Sequence, residues 1–188
     1  MNWMKKVAVA LVCLLPLGLQ AAKVDTLQVK SPSMNKSIEV VVVSPDVAAT
    51  KACPVIYLLH GYGGNARTWV GIKPDLPKIA DEKGIFFVCP DGKNTWYWDS
   101  PLNADVRYET FISDELVKYV DSHYKTVADR KGRAITGLSM GGHGAMWNGL
   151  RHSDVFSAAG STSGGVDIRP FPKNWEMSVQ IGEKAKYP

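Results

Sequence analysis

Arg133-Ala134-Ile135-Thr136-Gly137-Leu138-Ser139-Met140-Gly141-Gly142-His143-Gly144-Ala145 decides the fold. Its first four residues read as a short strand and Met140 to Leu150 as a helix, so Gly137-Leu138-Ser139-Met140-Gly141 is a G-x-S-x-G between strand and helix. That context matters more than the letters. A serine hydroxyl is a weak nucleophile until a base takes its proton, so it must stand clear of the sheet on a sharp turn. Such a turn presses its flanks against neighbouring backbone, and Gly137, Gly141, Gly142 and Gly144 are small enough to fit. The plainer reading, a glycine-rich turn with an incidental serine, has to be weighed against the rest of the chain.

The nearest support lies upstream. The apolar run Val55 to Leu59 reads as a strand, and His60-Gly61-Tyr62-Gly63-Gly64-Asn65 follows it as a glycine-rich loop. Acyl transfer passes through a tetrahedral intermediate with negative charge on oxygen. Two preorganised backbone N–H groups aimed at that oxygen are worth about 3 kcal/mol each. The expected donors are the amide of Met140, directly after the nucleophile, and that of Tyr62 in the loop. Gly61 to Ala66 also spells G-x-G-x-x-A, the dinucleotide-binding pattern, with Asp91 as its acidic partner. That reading is the weaker one, because Cys89-Pro90-Asp91-Gly92 reads as a turn and an exported protein rarely meets nicotinamide cofactors.

Around these motifs the chain alternates. Val24 to Lys30 and Ile38 to Ser44 form an expected antiparallel hairpin across a Ser-Pro-Ser-Met-Asn-Lys-Ser turn. Strands Pro54 to Leu59, Ile85 to Cys89, Arg133 to Thr136 and Phe156 to Thr162 are interleaved with helices near 75–83, 107–123 and 140–150. Apolar strands alternating with helices predict an α/β fold, a mostly parallel sheet covered by helices on both faces. The stretch from Val166 to Pro188 carries only a weak pattern.

Residues 1–22 have a basic start, thirteen apolar residues from Val7 to Leu19, and small residues at Ala21-Ala22, the layout of a secretory signal. A spanning helix needs about 20 apolar residues, and Pro16 and Gly18 interrupt this run. A lipid anchor at Cys13 is disfavoured by the bulky Val12 before it. The expectation is export to the periplasm or cell exterior, no stable membrane insertion after cleavage, and a single domain over 23–188. Losing Lys5 and Lys6 with that segment lowers the formal charge from +4 to +2, with no basic stripe, which argues against nucleic-acid binding. Cys53 and Cys89 sit at opposite ends of two expected parallel strands, too far apart to bridge, so both are predicted to be free and buried.

Leu58 to Asn65 followed by Trp69, then Pro90-Asp91-Gly92, then Gly137 to Ala145 resembles the esterase D family of α/β-hydrolases over about Ser37 to Gly165. That family includes S-formylglutathione hydrolases, feruloyl and acetylxylan esterases, short-chain acyl esterases and related mycolyltransferases. The resemblance implies an α/β-hydrolase fold, Ser139 as nucleophile, Tyr62 and Met140 as oxyanion donors, and no metal or organic cofactor. It implies an ester substrate, small or linked to polysaccharide. An acyltransferase would use the same nucleophile with a different acceptor, and a scaffold that only holds a ligand or glycan is the non-catalytic alternative. Trp96 and Tyr97, in the loop after the strand ending at Cys89, are expected on the same rim as the oxyanion loop, where they either line a substrate pocket or only cover the sheet end, whereas Trp69 is expected in the core.

The base is the difficulty. Of four histidines, His123 and His152 end helices that run away from the serine, His152 by roughly 18 Å. His143 belongs to a Gly-Gly-His-Gly packing run, and His60 is expected to brace the oxyanion loop. Six strands are expected where the family fold resembles an eight-stranded sheet whose last two strands carry acid and base. The chain is therefore expected to lack those two strands and to be inactive alone.

Overall fold

The computed structural model describes residues 22–171 and 173–182. The expected signal segment, apart from Ala22, lies outside the described residues. Among the described residues six strands form one mixed sheet: β1 (Lys23–Ser31), β2 (Lys36–Ser44), β3 (Val55–Leu59), β4 (Phe86–Pro90), β5 (Arg133–Gly137) and β6 (Ala158–Ala159), in the order β1-β2-β4-β3-β5-β6. β1 and β2 are the expected antiparallel hairpin, and β2 runs antiparallel to β4, with Val40 opposite Pro90. The remaining pairs are parallel, so β3, β4 and β5 all end on one edge of the sheet.

The central strands are buried on both faces, and the pleat sorts their side chains. Val40 and Val42, Val55, Tyr57 and Leu59, and Phe86 and Val88 enter one core; Val41 and Val43, Leu58, and Phe87 and Cys89 enter the other. Each fully buried side chain of this size contributes about 1.5–3 kcal/mol. The first core is closed by α4 (Leu116–His123) and α5 (Met140–Arg151), through Leu116, Val120, Met140 and Ala145. The second is closed by α1 (Thr68–Ile72), through the partly buried Trp69 and Val70, and by α2 (Leu76–Lys83), through Leu76 and Ala80. α2 stops at Gly84, whose φ of 63° is the left-handed cap that a β-carbon would strain.

Three expectations need adjustment. The helix expected over 107–123 consists of α3 (Tyr108–Thr110), a π-helical turn (Phe111–Glu115) and α4. The strand expected over 156–162 is only two residues long, because Ser157 to Ser163 flank the sheet with mostly exposed, small side chains and no apolar run to bury. A single bridge from Leu138 to Thr162 continues its line past the nucleophile turn. The weakly patterned stretch contains a short helix, α6 (Met177–Ile181), anchored by buried Met177. Cys53 and Cys89 are free and buried, and they lie in opposite cores, so the sheet itself separates them.

Candidate active site

Ser139 occupies the turn between β5 and α5 with φ 52° and ψ −118°, a conformation L-residues rarely adopt. Three contacts hold it there. Its N–H donates to Thr162 O at 2.9 Å, the Gly141 N–H donates to Leu138 O at 2.8 Å, and Ser139 O accepts the His143 N–H at 3.0 Å. The flanking glycines are required by contact. A β-carbon at Gly137 would lie 2.4 Å from the Gly141 carbonyl, and one at Gly141 would lie 2.2 Å from Leu59 O. Strain held by surrounding structure at one exposed hydroxyl is the signature of a functional turn.

The loop after β3 lies against that turn. A β-carbon at Gly61 would sit 3.5 Å from Ser139 Cβ, so its backbone passes directly beside the serine. His60, 1% exposed, braces the loop as expected. Its Nε2 accepts the Gly92 N–H at 2.9 Å, which puts the ring proton on Nδ1, where it donates to Gly61 O at 2.7 Å. The Tyr97 hydroxyl donates to His60 O at 3.1 Å, and Asn94 Oδ1 accepts the Gly63 N–H at 2.8 Å where the chain turns through φ 76°. The amides of Tyr62 and Met140 have no hydrogen-bond acceptor among the described residues. Two amides without acceptors thus stand in the loop and the turn that meet at the exposed Ser139.

A cavity of about 160 Å³ opens at Ser139, walled mainly by Tyr62, Trp96, Ile168, Phe171, Trp175 and Met177. Trp96 lies on its wall, as expected for a substrate contact, but is only 4% exposed. Its indole N–H donates to Trp175 O at 3.0 Å and its ring stacks on Trp98 at 5.7 Å. Tyr97 is a correction: it is fully buried and does not line this cavity. Its ring fills the space that β-carbons at Gly92 and Gly144 would occupy, so it packs the loop against α5 instead of meeting substrate. Trp69 donates to Leu59 O at 3.0 Å and packs against the second core, as expected. The walls Phe171, Trp175 and Met177 escaped the sequence reading. Trp175 and Glu176 both adopt positive φ, which breaks any periodicity that would have marked them.

Among the described residues no histidine ring is hydrogen-bonded to the Ser139 hydroxyl. His143 is packed among Trp96, Trp98 and Trp147, with Nδ1 on Gly165 O at 2.7 Å. Burial lowers its pKa against the opposing pull of that carbonyl. His152 Nε2 meets Glu109 Oε1 at 2.8 Å, and His123 stacks on Tyr119. Glu109 also accepts from Arg151 Nε and Trp147 Nε1, both at 2.7 Å, tying α3 to α5. Burial works to raise the Glu109 carboxyl, but Arg151, Trp147 and His152 together hold it below the usual range.

Comparison with known proteins agrees with this geometry. A family model described as "Putative esterase" matches residues 31–186. Esterase Rv1288 of Mycobacterium tuberculosis (strain ATCC 25618 / H37Rv) is 30% identical over 149 residues, 76% of this chain and 32% of that protein. The diacylglycerol acyltransferase/mycolyltransferase Ag85A of Mycobacterium leprae (strain TN) is 32% identical over 158 residues, 77% of this chain and 44% of that protein. A solved ferulic acid esterase superposes with a TM-score of 0.70 at 30% identity, covering 87% of this chain and 67% of that one. The chain thus spans about a third to under half the length of these two curated relatives. With the family model matched across most of its length, and with its strands and nucleophile turn arranged as described, the chain belongs to this esterase family and has the α/β-hydrolase fold.

Proposed function

We propose that the protein is a serine carboxylic ester hydrolase, with Ser139 as nucleophile and the Tyr62 and Met140 amides as oxyanion donors. The observation that carries this reading is the strained Ser139 backbone, exposed beside two amides without partners at the mouth of an apolar cavity. In the first half-reaction Ser139 Oγ attacks the ester carbonyl, the alcohol leaves, and an acyl-enzyme remains. Water then releases the acid. A proton acceptor is required for both steps. No histidine ring is hydrogen-bonded to the Ser139 hydroxyl among the described residues, so we infer that the base is none of the four.

The aromatic walls favour a short or aromatic acyl group, and the ferulic acid esterase among the similar structures supports an aromatic one. The basic-apolar-small pattern of residues 1–22 supports action outside the cytoplasm. The acyltransferase relative keeps one further outcome in view: an alcohol acceptor in place of water.

The test is covalent mapping. Protein of the family's full length, quenched during turnover and digested, is expected to carry its acyl adduct on the peptide containing Ser139. An adduct on another residue overturns the assignment. Adding an alcohol acceptor that diverts product from acid to new ester would move the reading to acyl transfer.

A further inference from the structure

A second groove, about 460 Å³, lies at the same end of the sheet, with Asn65 of the loop after β3 in its lining. Three elements bring cations into it: Lys36 opens β2, Arg67 precedes α1, and Lys93 follows β4. Two carboxylates, Glu39 and Asp91, face the same space, leaving one positive charge in excess. Asp91 is already consumed. It is 5% exposed and lies 2.6 Å from Lys93 Nζ.

Lys36 and Arg67 are not consumed in this way. Lys36 donates to Asp105 O at 2.7 Å and lies 5.1 Å over the Tyr108 ring, with no carboxylate within ion-pair distance among the described residues. Burial first, and then the neighbouring Lys93 charge, depress its pKa against the pull of Asp105. Arg67 gives one N–H to Thr26 Oγ1 at 3.2 Å, leaving most of its donors for a ligand. Beside these cations stand uncharged hydrogen-bonding groups, the amides of Gln28 and Asn65. Cations and neutral amides on one wall match a carboxylate set among hydroxyls.

We propose that this groove binds a carboxylate-bearing sugar, a uronic acid residue of the carbohydrate whose ester is presented to Ser139. The assignment rests on the esterase reading for its role and deepens it by naming the alcohol side of the substrate. Asn65 lies in the groove three residues after Tyr62, which lines the cavity at Ser139, so a single loop contributes to both.

The experiment is a calorimetric titration of the 188-residue chain with a glucuronic-acid-bearing xylo-oligosaccharide and with the same oligosaccharide reduced at its carboxyl. The acidic sugar is expected to bind about tenfold tighter, the scale of one charge-assisted contact. Rising salt should narrow the gap. Arg67→Gln, at an exposed side chain, and Lys36→Gln should each erase most of the preference with unchanged melting temperature. Equal affinity for the two sugars overturns the proposal. So does inorganic phosphate binding as tightly as the acidic sugar, which would mean an anion site without sugar recognition. Ser139→Ala should leave the binding intact, so a failure here is separable from a failure of the covalent mapping.

Discussion

Ser139 stores backbone strain that a glycine would release. Left-handed placement of an L-residue costs on the order of 1–3 kcal/mol, against which glycine loses roughly 0.5–1 kcal/mol of unfolded-state freedom. Ser139→Gly is therefore expected to unfold at a higher denaturant concentration than Ser139→Ala, by about 1 kcal/mol. Ala keeps the β-carbon and so keeps the strain. A less stable Gly variant would show that the turn is not strained. Gly141→Ala acts in the opposite direction. Its β-carbon would meet Leu59 O at 2.2 Å, and backbone on both sides cannot retreat cheaply. A loss of about 2–3 kcal/mol is expected by chemical denaturation, the overpacking scale.

At the scale of elements, the sheet was readable because its strands are apolar on both faces and end in turn chemistry. The β3 and β4 runs and the helix opened by Met140 stand where residue pattern alone puts them, within a residue or two. The candidate nucleophile and its loop were readable for the same reason, since glycines mark positions where backbone touches backbone. The cavity walls were not. Phe171 and Trp175 come from a segment of successive turns: Trp175 is placed by contacts to Trp96, far away in sequence, and Phe171 packs on Trp175. Tyr97 was misjudged because adjacency to Trp96 says nothing about which of two neighbours points inward, a choice made here by positive φ at both residues. The junction of α3 with α5 was also invisible, because Glu109 meets partners 38 to 43 residues away. Glu109→Ala strips three donors of their shared acceptor and is expected to cost about 2 kcal/mol in a urea titration.

For the whole molecule, acid is the expected weak point. Burial favours protonation of Asp91, yet the Lys93 ammonium and the Lys93 amide hold its carboxyl well below the usual range. Glu109 is depressed as well. A depressed folded-state pKa means that the unfolded chain takes up protons first. The stability these carboxylates contribute is complete above about pH 4–5 and is lost as pH falls through their folded-state values. Asp91→Asn combined with Glu109→Gln should lower stability at neutral pH and flatten its decline between neutral and strongly acidic solution. An unchanged slope would remove both groups from the acid limb. Hydrolysis of p-nitrophenyl acetate by the 188 residues alone is expected to match that of Ser139→Ala. Clear dependence on Ser139 would show that a base is present among them.

The two margins of the sheet are protected unequally. Along β1, charged residues such as Lys23, Asp25 and Lys30 line a nine-residue border, which discourages another chain from adding itself. At β6 the border is Ala158-Ala159, uncharged, exposed and short of side-chain bulk. Concentrated solutions should therefore self-associate through that margin, and a lysine installed at Ala159 should keep the scattering of light at the monomer level.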